Sequence, residues 1–149
     1  MTMTLKQQMQ TELTAAMKAR NEDVKRTLRL VMSSIKLAEV EQGEEITEER
    51  VLSLLQKEIK TREDTIEEAS SAQRDDLVQA AKAEIKILNQ FLPQQMSLDE
   101  LSSMAKEIIQ QLGASSIKDM GNVMKNLMPK LQGRASGQDA SKVVRELLQ

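Results

Sequence analysis

Residues 113–148 read GASSIKDMGNVMKNLMPKLQGRASGQDASKVVRELL and hold four of the chain's five glycines: Gly113, Gly121, Gly133 and Gly137. Everything before them contains only Gly43. Gly113 is placed to close a helix as its C-cap. Ser116 and Asp119 have capping-box spacing and predict a helix running through Val123, Met124 and Leu127 to Pro129. Gly133, Gly137 and Asp139 then set up a last helix, Ala140–Leu148, with Val143, Val144, Leu147 and Leu148 on its apolar side. The stretch reads as short helices joined by glycine corners, and the rest of the chain reads as long helices.

Immediately upstream, Ser97-Leu98-Asp99-Glu100 also matches a capping box. Leu98, Leu101, Met104, Ala105, Ile108, Ile109 and Leu112 recur at helical spacing after it. Pro93 precedes that box and is the clearest boundary in the chain, because proline cannot donate to a helical ladder and restricts the residue before it. Before Pro93, Leu77, Ala80, Ala81, Glu84, Ile87, Leu88 and Phe91 mark a helix. Another follows the cap Thr47, with Glu48 and Glu49 in its first turn and Val51, Leu54, Leu55, Ile59 and Ile66 on its buried face. The period fails at Ser70-Ser71-Ala72, so Val51–Leu92 is expected to fold as a long antiparallel hairpin. Thr4 caps a first helix over about residues 5–19, whose stripe is Leu5, Met9, Leu13, Ala16 and Met17. Val24, Leu28, Val31, Met32 and Ile35 carry a second, which ends near Glu41 with Gly43 as C-cap. The expected fold is all-α: an N-terminal helical body over 1–93 and a three-helix C-terminal domain over 94–149.

Composition narrows the chemistry. The 149 residues include no Cys, His, Trp or Tyr, one Phe and ten Met. Thiol nucleophiles, imidazole bases, Cys/His zinc sites and disulfides are therefore excluded. The interior must be aliphatic, with methionine filling irregular gaps. No apolar run approaches the length of a membrane span, and no signal-peptide core opens the chain, so the expected location is cytoplasmic. Neither a phosphate loop nor a dinucleotide fingerprint occurs. The residues suggest no cofactor and no metal site.

Two constellations invite chemistry. Ser115 and Ser116 with Lys118 resemble a Ser–Lys nucleophile, but capping explains the same residues and no oxyanion hole is evident. Glu39, Glu41, Glu44, Glu45, Glu48 and Glu49 cluster at one helix–loop–helix junction and read as solvated. KEIKTRED, Lys57 to Asp64, places Glu58 with Arg62 and Lys60 with Asp64 four apart, as expected for a charged outer face. The sequence is poorly equipped to be an enzyme by itself.

The net charge of −2 is unevenly spread. Residues 1–36 hold seven Lys/Arg and three Asp/Glu; residues 37–50 hold one and six; residues 113–149 hold six and three. Lys118, Lys125, Lys130, Arg134, Lys142 and Arg145 lie around helix N-termini and glycine corners, where backbone N–H groups and cations can meet phosphates. Lys25, Arg26, Arg29 and Lys36 form a second basic face. Both also fit ordinary solvated surface.

Asp119-Met120-Gly121-Asn122-Val123-Met124-Lys125, Gly133-Arg134-Ala135 and the terminal Val143–Leu148 helix resemble the YqeY family. Leu28-Arg29-Leu30 with Ile35-Lys36, Lys57-Glu58-Ile59-Lys60 with Arg62, and Phe91-Leu92-Pro93 extend the resemblance over nearly the whole chain. That family shares a domain with the tail of the B subunit of glutamine-dependent aminoacyl-tRNA amidotransferase. The resemblance implies a helical body followed by a three-helix tail, and a role in binding tRNA or assisting a tRNA-linked enzyme. It places Lys118, Gly121, Lys125, Gly133, Arg134 and Lys142 on the candidate RNA-facing surface. Ser136 stands where the family's corner carries an acid, and Asp139 is the expected replacement cap. Two other roles stay open: a component of an amidotransferase-type carbon–nitrogen ligase using glutamine, and a helical protein–protein interaction module.

Overall fold

The computed structural model describes residues 3–149. Its seven α-helices are α1 Leu5–Ala19, α2 Glu22–Gln42, α3 Glu48–Ser71, α4 Asp75–Asn89, α5 Leu98–Leu112, α6 Met120–Leu131 and α7 Gly137–Leu148, with no strand among the described residues. The fold is all-α. The chain divides into two units, Met1–Leu92 and Pro93–Gln149.

Caps explain where the helices begin and end. Thr4 and Gln7 exchange bonds across α1's start: the Thr4 N–H donates to Gln7 Oε1 at 2.9 Å and the Gln7 N–H to Thr4 Oγ1 at 3.1 Å. Asn21 Oδ1 and Thr47 Oγ1 accept from the amides of Val24 and Arg50, opening α2 and α3. Gly43 ends α2 with φ +75°, a conformation that costs glycine nothing. Arg20 closes α1 at φ +57° without being glycine, because the Asn21 cap follows directly and leaves a one-residue link.

In the first unit, Leu5, Met9 and Leu13 of α1 pack with Leu28, Val31 and Ile35 of α2, Val51, Leu55 and Ile59 of α3, and Leu88 with Phe91. Helices α3 and α4 make the most extensive pairing. The row expected for α4 holds at Ala81, Leu88 and Phe91, which are buried, but fails at its start, where Val78 is buried while Leu77 is 43% exposed and Ala80 is exposed. Met17 is exposed as well. Helix α4 ends at Asn89, and turn-type bonds from the amides of Phe91 and Leu92 carry the chain to Pro93.

Charged residues expected at the surface hold this unit together. Arg62 is buried, not part of an outer face. Its Nε donates to Glu84 Oε2 at 2.7 Å and its Nη1 to Glu58 Oε2 at 2.8 Å. The neighbouring Lys60–Asp64 pair is exposed. Two members of the acidic cluster are also committed. Glu39 accepts from Lys6 Nζ at 2.8 Å and from the Ile46 N–H at 2.9 Å, and Glu48 accepts from the Leu5 N–H at 3.0 Å. These bonds fix the N-terminus of α1 against the α2–α3 junction. Glu41, Glu44, Glu45 and Glu49 are exposed.

In the second unit, Leu101, Ala105 and Ile108 of α5 pack with Val123, Leu127 and Leu131 of α6 and Ala140, Val143, Val144 and Leu148 of α7. Leu98, expected in the stripe, is 70% exposed. Only half of the first capping box forms, with Ser97 Oγ accepting from the Glu100 amide. The Glu100 carboxylate turns instead to Arg134.

Candidate nucleic-acid interface

Asp119 organises the entry to α6. Its Oδ2 accepts from the amides of Ser115 at 3.0 Å and Ser116 at 3.3 Å. A single 3-10 turn, Ile117–Asp119, therefore precedes α6, where the spacing had suggested one continuous helix. Lys118 projects from that turn, exposed, and makes no hydrogen bond to either serine.

Gly121 and Lys125 follow on α6, one turn apart, opposite the buried row Val123, Leu127 and Leu131. Both are exposed. A Cβ built on Gly121 meets no atom within 4 Å, so packing does not require glycine there. The helix continues through Pro129 to Leu131 rather than stopping at the proline. Pro129 falls in the final turn, where its missing N–H removes one helical bond, and Leu127 and Leu131 on either side of it are buried.

Gly133 and Arg134 occupy the α6–α7 corner. Gln132 and Gly133 both take left-handed backbone, φ +50° and +76°. The corner is tied to the segment preceding α5: the Met96 N–H donates to the Arg134 carbonyl at 2.8 Å, and Gln95 Nε2 to that of Gly133 at 3.1 Å. The Arg134 guanidinium donates to the Gln94 carbonyl at 2.9 Å and to Glu100 Oε2 at 3.2 Å. Ser136 caps α7 itself, its Oγ accepting from the Asp139 N–H at 3.1 Å. Asp139 therefore does not supply the cap, and α7 starts three residues before the expected Ala140.

The structure thus places Lys118 exposed on the turn before α6 and Gly121 and Lys125 exposed on α6, while Lys142 stands exposed on α7 and Gly133 and Arg134 form a half-buried corner. Lys118, Lys125, Lys130, Lys142 and Arg145 make no ion pair within 4 Å among the described residues; Arg134 is the one cation of this unit that does. On the other basic face, Lys25 and Arg26 pair with Glu22 and Asp23, whereas Arg29 and Lys36 have no acidic partner among the described residues.

Among the described residues, no group of three or more acidic side chains could hold a metal, and no helix is long and apolar enough to cross a membrane. The chain belongs to the YqeY family, matching the Yqey-like protein description over residues 6–148.

It is similar to Altered inheritance of mitochondria protein 41, mitochondrial, from Pyrenophora tritici-repentis, at 29% identity over 94% of this chain and 78% of that protein. The protein of the same name from Lachancea thermotolerans is 32% identical over 72% of this chain and 62% of its own length. An uncharacterised protein of Schizosaccharomyces pombe is 37% identical over 58% of this chain and 70% of its own.

Proposed function

We propose that the protein is a non-catalytic adaptor that binds tRNA or a related RNA through its C-terminal unit. Lys118 and Lys125, unpaired on either side of Gly121, carry the reading. A glycine in the first turn of an exposed helix weakens that helix, and the open space above it lets a phosphate backbone approach closely. Lys142 extends the cationic surface onto α7. Gly133 and Arg134 hold the corner that fixes α6 against α7. With no tyrosine or tryptophan for stacking, contact is to backbone and shape rather than to splayed bases. The site acts where tRNA serves translation, in the cytoplasm, or in the mitochondria that the relatives' names mention.

Filter binding of tRNA to the full chain at two salt concentrations tests this. Binding should weaken as salt rises, by roughly 0.7–0.9 in log–log slope for each phosphate neutralised, and the slope should fall when Lys118 and Lys125 become alanine. No binding at low salt would overturn it. Membership of an amidotransferase-type carbon–nitrogen ligase is the second reading, and the family resemblance alone favours it. Incubation with glutamine, ATP and mischarged tRNA decides it by release of glutamate.

A further inference from the structure

Helix α2 has a second face. Its inner side buries Leu28, Val31 and Ile35, yet Leu30, Leu37 and Val40 stand 52%, 59% and 71% exposed on the opposite side. Leu30 and Leu37 are seven residues apart, as are Arg26, Ser33 and Val40, and the two sets interleave at three and four residues. This is the spacing of a coiled-coil seam. Arg29 and Lys36 immediately precede the two leucines and repeat at the same interval, so they form a basic row along one edge. Arg29 lines a groove of about 370 Å³ with Glu22, Lys25, Leu30 and Ser33, and another of about 470 Å³ with Lys6, Met32, Lys36 and Glu39, whose carboxylate is already held by Lys6.

Among the described residues, no carboxylate forms an ion pair with Arg29 or Lys36 in that row. Glu22 and Asp23 lie with Lys25 and Arg26, and Glu39 is held by Lys6 and the Ile46 amide. Along the opposite edge of the seam Glu84 comes to 3.9 Å from Arg26, Glu58 accepts from Ser34 Oγ, and Glu41 is exposed.

We propose that this outer seam of α2 docks an amphipathic helix of a partner protein whose aliphatic stripe is flanked by Glu or Asp. Three large exposed aliphatics within eleven residues want an apolar cover, which a phosphate backbone does not offer. The unpaired basic row asks for carboxylates at the flanking positions of the same occupant. From Arg26 to Val40 the seam is about 21 Å long, which four turns of a partner helix cover. A second copy of α2 fits poorly: antiparallel pairing sets the basic row against itself, and parallel pairing sets Arg26 against Arg26.

The test uses the full chain and a labelled three-heptad peptide with Leu along its seam and Glu at the flanking positions, beside the same peptide with Lys in place of Glu. Fluorescence anisotropy should show salt-sensitive binding of the Glu peptide alone. The double variant Arg29→Glu/Lys36→Glu should reverse the preference. Leu30→Ser/Leu37→Ser should weaken binding at least about tenfold, with helicity and melting unchanged, since both leucines are exposed. The proposal is overturned by equal or absent binding of both peptides, or by indifference to both variants. It is equally overturned by a dimer of the chain that Leu37→Glu dissolves, or by loss of tRNA binding instead of peptide binding in the charge-reversed variant. Alanine at Lys118 and Lys125 should leave peptide binding intact, so failure of the RNA reading shows separately.

Discussion

Arg62 of α3 and Glu84 of α4 meet at 2.7 Å between Nε and Oε2, and the arginine is 8% exposed. Glu58, one turn earlier on α3, takes the other side of the guanidinium, and its carboxylate and backbone carbonyl both accept from Nη1. Three charged groups thus lock the middle of the α3–α4 pair. Replacing Arg62 by Met should destabilise the chain by about 3 kcal/mol, since Glu58 loses its counter-charge and Glu84 keeps only Arg26, at 3.9 Å. The further change Glu84→Leu should recover part of that loss. Urea unfolding followed by circular dichroism reads both.

Glu39 gives a pH dependence. Lys6, first, and then the Ile46 amide hold its carboxyl below the ordinary value of 4.5. A depressed acid stabilises the fold above its unfolded value, and that contribution disappears as pH falls through the folded one. Wild type and Glu39→Gln should therefore differ in urea midpoint at pH 7 and converge below 4.5. Parallel midpoint curves at every pH would contradict the assignment.

Gly121→Ala separates folding from binding. The site is helical and open, so alanine should stabilise the chain by roughly 0.5 kcal/mol. If the glycine serves close approach of RNA, the same change should weaken tRNA binding. A rise in melting temperature with lower affinity is the expected pair of results.

Ser136→Ala should cost about 1 kcal/mol, the usual value of an N-cap. Ser136→Asp should retain that stability, because a carboxylate can also accept from the Asp139 amide and favours the helix N-terminus. Hydrogen exchange at the Asp139 amide reports the cap directly.

The helices were legible because their signals are local. Thr4, Thr47, Ser97, Gly43 and Gly113 mark ends through bonds reaching no more than four residues, and the buried rows of α1 and α2 follow their spacing. What the residues did not disclose depends on partners distant in sequence. Arg62 reads as surface until Glu84, itself in an otherwise apolar row, is set 22 residues away. That misplaced acid was the available signal. Glu100 leaves its capping box for Arg134, 34 residues on, and Glu39 is claimed by Lys6 from 33 residues before. In the candidate interface, the exposure of Lys118 and Lys125 and the open space over Gly121 depend on which side of α6 the core takes. The anchoring of Arg134 could not be read from its neighbours.

Phe91, 9% exposed, sits in the first unit's core just before the division at Leu92, and it is the only aromatic residue. The protein is consequently almost dark at 280 nm, and no native tryptophan obscures an introduced one. A tryptophan at position 91 would give an emission signal belonging to the first unit alone, and one at Leu127 a signal belonging to the second. The melting of each half can then be watched by its own light.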